Sequence, residues 1–194
     1  KKVLDDAANF LIKQEIKDGH FKKSEHYHAD VLNADAMVST FLINYGINQD
    51  NQEYIESAKR GLKNIISQQK DDGEFPYGSK IAQYPYKHHL DVPCIHYQTV
   101  TLYYLDKCSD KIPDNELKNS IYNGIKWLQN NQKETGEFDW RKSGLNFALY
   151  LTATYGFAVY LYSKYSPSTN KLLISNTIEI LNNQYEKGIL LRWE

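Results

Sequence analysis

The sequence predicts an all-α fold in one domain, residues 1–194, built as a row of helical hairpins. Three observations predict it. Amphipathic segments rich in charge alternate with segments that carry almost none, in the order outer, inner, outer, inner, outer, inner, outer, which makes about three and a half hairpins. Glycines at 19, 73, 136 and 188 close the charged segments at intervals of 52 to 63 residues. Around those glycines the same tag recurs: Gln69, Gly73 and Phe75, then Gln132, Gly136 and Phe138 at identical spacing. Two looser copies stand at Gln14, Gly19 and Phe21, with one extra residue, and at Gln184, Gly188 and Leu190.

The elements follow in order. From Val3 to Lys17 the apolar residues Val3, Leu4, Ala7, Ala8, Leu11 and Ile12 recur at helical spacing, and Asp18 and Gly19 stop the helix. From Ala29 to Tyr45 only Asp30 and Asp35 are charged, so a buried helix is expected there, ended by Gly46. Glu53 to Gln69 is the next amphipathic helix. A long connection with Pro85, His88, His89 and Pro93 leads to an uncharged helix from Cys94 to Leu105. Asn115 to Gln132 is polar-faced again, Leu145 to Tyr165 is charge-poor, and Leu172 to Tyr185 is amphipathic. A wet helix paired with a dry one cannot bury the dry one alone; side by side, such units form an inner layer wrapped by an outer one.

Composition excludes several functions. The 23 basic and 24 acidic side chains nearly cancel and no dense Lys/Arg block occurs, so there is no electrostatic footprint for nucleic acid or anionic lipid. Leu145 to Tyr165 is long enough to be mistaken for a membrane span, but Asn146, Thr152, Thr154, Gly156 and its tyrosines argue against insertion. Cys94 and Cys108, if on one helix, are separated by about 21 Å of rise and cannot pair with each other. No leader peptide opens the sequence, which favours the cytoplasm, although the first residue is Lys, not Met. There is no P-loop, dinucleotide-binding glycine pattern, GxSxG or HExxH.

Gln, three residues, Gly, one residue, aromatic, repeated at the ends of outer helices, resembles the QW-type repeat of the terpenoid cyclase and protein prenyltransferase α/α-toroid superfamily. The resemblance runs through the whole chain, with phenylalanine where the cyclase repeat usually has tryptophan. It implies an incomplete α/α-toroid, since such toroids have about six hairpins. An open arc, a piece of a larger toroid, or closure by self-association or additional hairpins would each fit. In that superfamily the tag ties one hairpin to the next, a structural role. Neither a DxDD nor a DDxxD motif is present. Toroids of this shape also serve polysaccharide lyases, hydrolases and sugar epimerases, so the fold does not select a substrate.

In such an array the N-terminal ends of the inner helices converge on one rim, and five of the six histidines fall there. His26 and His28 precede the first inner helix, His88, His89, Asp91, Cys94 and His96 precede or open the second, and Trp140, Arg141 and Asn146 the third. Two chemistries are expected. In the first, His96 or His28 is a general base, Tyr97 an acid or orienting hydroxyl, and Arg141 a carboxylate clamp; Gln98, Asn146, Trp140 and His88 complete the contacts to a polar, saccharide-like small molecule or glycan. In the second, Asp91, Cys94 and His28 hold zinc, as a local resemblance to the prenyltransferase metal site implies. Asp91 and Cys94 are one residue further apart than in that family, and the histidine comes earlier in the chain. The plainer alternatives are a non-catalytic interaction module and helix-capping roles for the same residues.

Overall fold

A computed structural model describes residues 1–22, 31–80, 93–140, 151–166 and 171–186, excepting the side chains of Leu151 and Gln184. Among them the chain forms, in order, α1 (Lys2–Lys13), β1 (Glu15–Lys17), β2 (His20–Phe21), α2 (Leu32–Gln49), α3 (Gln52–Ser67), α4 (Ile95–Ser109), α5 (Asn115–Asn130), α6 (Leu151–Tyr165) and α7 (Lys171–Glu186). The fold is all-α apart from the small antiparallel hairpin β1–β2, in which Glu15 faces Phe21.

The helices form two layers. In the inner layer α4 packs between α2 and α6; in the outer layer α3 backs α2, α5 backs α4 and α7 backs α6. The inner helices run parallel. Near the start of α4, His96 meets Thr154 near the start of α6, while Asp106 near the end of α4 meets Tyr160 and Tyr165 at the end of α6. Thr40 of α2 donates to the Tyr104 carbonyl of α4 at 3.0 Å and lies 3.3 Å from the Cys108 sulfur. No helix among the described residues is long and apolar enough to cross a membrane.

Sequence explains each layer. The outer helices bury one stripe: Tyr54, Ala58, Leu62 and Ile65 on α3, and Leu117, Ile121, Ile125 and Leu128 on α5. Their starts are capped by Asn51, which accepts from the Tyr54 N–H, and by Asp114, which accepts from the Glu116 and Leu117 N–H groups. Such caps contribute about 1 kcal/mol each. On α2, burial spreads around the helix, from Leu32 and Ala36 to Leu42 and Ile43 and including Asp35 and Ser39.

The tags join the layers. At Gln69 the side-chain amide donates to its own turn, at the Gly73 carbonyl (3.0 Å), and across to the Ser120 carbonyl of α5 (2.9 Å). Its oxygen accepts from the Ser120 hydroxyl at 2.8 Å. Gln132 repeats this with the Gly136 carbonyl and the Thr177 hydroxyl of α7, and accepts from Tyr162. The first copy departs from expectation: Glu15, not Gln14, does the work, accepting from the Gly19 N–H and from the Ser57 hydroxyl of α3. With Glu15 the spacing to Gly19 and Phe21 equals that of the other copies, and no extra residue is present.

Each tag aromatic is buried, and its N–H is bonded to the inner helix: Phe21 to Asp35 Oδ1, Phe75 to Gln98 Oε1 and Phe138 to the Tyr155 hydroxyl. Asp35, which also accepts from Asn64, is thus a buried, paired carboxylate.

Several boundaries move. α1 ends four residues before the expected Lys17 because Glu15–Lys17 pairs as a strand. Gly46 does not end α2; it lies inside the helix against Tyr54 and Ile55, and the helix continues to Gln49, where Asp50 adopts a left-handed conformation (φ 52°). α4 continues past Leu105 to Ser109, and the first six residues of the expected Leu145 to Tyr165 helix lie outside the described residues. Both cysteines are buried, Cys108 on α4 and Cys94 at its N-cap.

Glycine is required where the tags touch the next outer helix. Gly73 has φ 96°, and a Cβ there would stand 2.3 Å from the Asn123 carbonyl oxygen of α5. Gly156, on α6, has nothing among the described residues within 4 Å of a Cβ. Replacing Gly73 by Ala should therefore cost about 2 kcal/mol or more, whereas Gly156→Ala should be stabilising by about 0.5–1 kcal/mol, as read by urea unfolding of the two variants.

Candidate functional site at the inner-helix rim

The rim is assembled by the segment that follows the second tag. After Phe75, the Tyr77 carbonyl accepts from the Leu32 N–H at 3.2 Å and Gly78 bridges Val31, so this stretch is tied to the start of α2. The Tyr77 ring then stacks on Tyr97 of α4, with centroids 4.6 Å apart. The starts of α2 and α4 are thereby held together by one aromatic pair.

His96 is the second residue of α4 and Tyr97 the third. The His96 ring lies 5.2 Å from the Tyr97 ring at an interplanar angle of 56°, and its Nδ1 is 2.8 Å from the Thr154 hydroxyl of α6. His96 is 7% exposed, and burial pushes its pKa down to about 4. The imidazole is neutral at pH 7 and held in orientation by the neighbouring inner helix. Cys94, just outside the helix, is 2% exposed in an extended backbone conformation and makes no side-chain cap to the helix.

The third inner helix contributes an aromatic wall. Trp140, half-buried, packs edge-on to Phe138 (5.8 Å) and Tyr155 (6.4 Å). Trp140 therefore stands beside the first turns of α6.

Gln98, expected to contact a ligand, sits beneath the rim. Its amide is used by the fold: the oxygen accepts from Phe75 N–H at 2.7 Å and the nitrogen donates to the Gly73 and Gly124 carbonyls. His28, His88, Asp91, Arg141 and Asn146 lie outside the described residues. Of the three expected zinc ligands only Cys94 is described, and among the described residues no group of three or more His, Cys, Asp or Glu side chains is placed to hold a metal.

A repeat relation adds one residue to the rim. Asp35 and Gln98, Ser57 and Ser120, Gly61 and Gly124, and Gln69 and Gln132 are each 63 residues apart and play matching structural roles. By the same offset His96 corresponds to Asn33 on α2, whose buried Oδ1 has no hydrogen-bond partner among the described residues. A buried acceptor left open is costly in a folded protein and marks a place where a ligand donor or water would be favoured.

Comparison of the chain with protein-family models, with curated proteins and with solved structures finds no match.

Acid should reveal His96 and Asp106 in separate windows. His96 has a folded pKa below its ordinary value, so the unfolded chain binds its proton first, and stability present above about pH 6.5 is lost as pH falls toward 4. That loss should reach about 3 kcal/mol and vanish in His96→Gln. Burial alone would raise the Asp106 carboxyl, but Lys164 and the Tyr165 and Tyr160 hydroxyls hold it below the usual carboxylate range. Its stabilisation is present above about pH 4 and lost only below that. Urea midpoints from pH 7.5 to 3 for the native protein and the variant check both statements.

Proposed function

We propose that the rim of the inner helices binds a polar, saccharide-type ligand and carries out acid/base chemistry on it. The observation that supports this reading most is the Tyr77–Tyr97–His96 cluster: a stacked aromatic pair suited to covering a sugar face, with a neutral imidazole against it and tied to the next helix. The open Asn33 acceptor and the half-buried Trp140 add a hydrogen-bonding point and a second aromatic surface.

In this reading His96 first orients a ligand hydroxyl. With basicity held down to about 4 it is a weak proton acceptor until an anionic group of the ligand approaches, which raises the pKa of an imidazole. A uronate carboxylate would supply that charge next to the proton to be removed, and Tyr97 would supply the partner hydroxyl. The same reading takes the two-layered row as an arc of an α/α-toroid, extended by further hairpins or by a second copy. The zinc-dependent, prenyltransferase-like alternative rests on Asp91 and His28 together with Cys94, of which Cys94 alone is placed, buried at the start of α4.

The test is glycan binding and turnover by His96→Ala and Tyr97→Ala. Each should weaken binding by about tenfold or more, and His96→Ala should abolish turnover. Native-like binding and turnover by both variants, with melting curves that show them folded, would overturn the proposal.

A further inference from the structure

The face of α4 that carries His96 runs on to a cation. His96, Val100, Tyr103 and Lys107 recur at i, i+4, i+7 and i+11, on one side of the helix. They lie opposite Gln98 and Leu102, which meet α5 at Gly124. Along this line Lys107 stands about 16 Å from His96, measured as helix rise.

The Lys107 ammonium is 2.6 Å from the Tyr160 hydroxyl, 4.4 Å from the centre of the Tyr160 ring and 5.1 Å from that of Tyr103. Tyr103 in turn packs on Phe157 at 4.7 Å, and a Cβ on Gly156, one turn before Tyr160, would face open space among the described residues. The nearby carboxylates are taken by another lysine: Lys164 lies 2.8 Å from Asp106 and 2.8 Å from Asp110. Asp106 also accepts from Tyr160 and Tyr165. Among the described residues no carboxylate lies within ion-pair distance of Lys107. A lysine fixed on an inner helix, framed by aromatic rings beside an open space, is left with a phenol oxygen as its hydrogen-bond partner. A bound anion would give the ammonium a charged partner and a stronger hydrogen bond.

We infer that Lys107, with Tyr103, Phe157 and Tyr160, forms a distal subsite for an anionic group on an extended saccharide whose reacting ring lies at His96. The ligand class is an acidic oligosaccharide, with one ring at the rim and a carboxylate, sulfate or phosphate further along the inner face. This inference rests on the saccharide reading of the rim.

Titration calorimetry with galacturonic acid, trigalacturonic acid and the methyl ester of the trimer tests it on the native protein, Lys107→Gln and Lys107→Arg. The acid trimer should bind the native protein about tenfold more tightly than its ester, Lys107→Gln should remove most of that difference and leave only the share of the rim carboxylate, and Lys107→Arg should retain most of it. Binding of the monomer should be unchanged by Lys107→Gln. If the trimer binds equally well as acid and ester, or if Lys107→Gln leaves the difference intact, the distal subsite is wrong while the rim reading stands. Absence of binding by monomer and trimer alike overturns both.

Discussion

A side chain that turns back on its own loop and across to the next helix sets the geometry of this protein. Glu15, Gln69 and Gln132 each bond a group of the glycine four residues on and a hydroxyl of the following outer helix, at Ser57, Ser120 and Thr177. A glutamine amide suits this because it donates twice and accepts at the same time, so loop carbonyl, helix carbonyl and hydroxyl are all served. The carboxylate of Glu15 can only accept; accordingly it takes the Gly19 N–H instead of a carbonyl, and Arg60 adds two donors at 2.8 Å. The glycine lets the loop approach the backbone of the next helix closely enough for these bonds to form.

The brace decides which polar side chains of the inner helices are available for chemistry. Residues two apart on a helix point to nearly opposite sides. Asp35 and Gln98 point to the tags and hold the N–H groups of Phe21 and Phe75, while Asn33 and His96, two residues earlier, point away from them. The hydroxyls divide likewise: Thr99 bonds its own helix at the His96 carbonyl, whereas Thr154 reaches across to the His96 ring. Polarity on a buried helix is thus partly architectural, and Asn33 and His96, which the tags do not use, lie on the side away from the outer layer. At the far end of the inner layer the Asp106, Lys164, Tyr160 and Tyr165 cluster fastens α4 to α6, which keeps the His96–Thr154 contact in register.

Much of the fold was legible because its signals are local. Hydrophobic periodicity, charge-poor segments and the Gln–Gly–Phe spacing gave the order of helices and their alternation. Gly46 misled because a glycine needed for close helix packing, with Ile55 Cγ1 at 2.9 Å from a Cβ, looks in sequence like a glycine that stops a helix. At the first tag a carboxylate takes the place of the amide, so residue type points to Gln14 whereas spacing selects Glu15. The role of Gln98 was hidden because its partner, Phe75, is 23 residues away in another segment. The 63-residue offset that pairs Gln98 with Asp35 was the available clue. Lys107 carries no signal at all: that no carboxylate among the described residues lies within ion-pair distance of it follows from contacts of a different helix, where Lys164 pairs with Asp106 and Asp110.

If the braces hold the row together, Gln69 and Ser120 must act as one unit. A double-mutant cycle with Gln69→Ala, Ser120→Ala and the double variant, read by urea unfolding, measures this directly. A coupling of about 1 kcal/mol is expected, with the double variant costing less than the sum of the single ones. Strictly additive losses would show that the two side chains stabilise the protein independently, and would contradict the account.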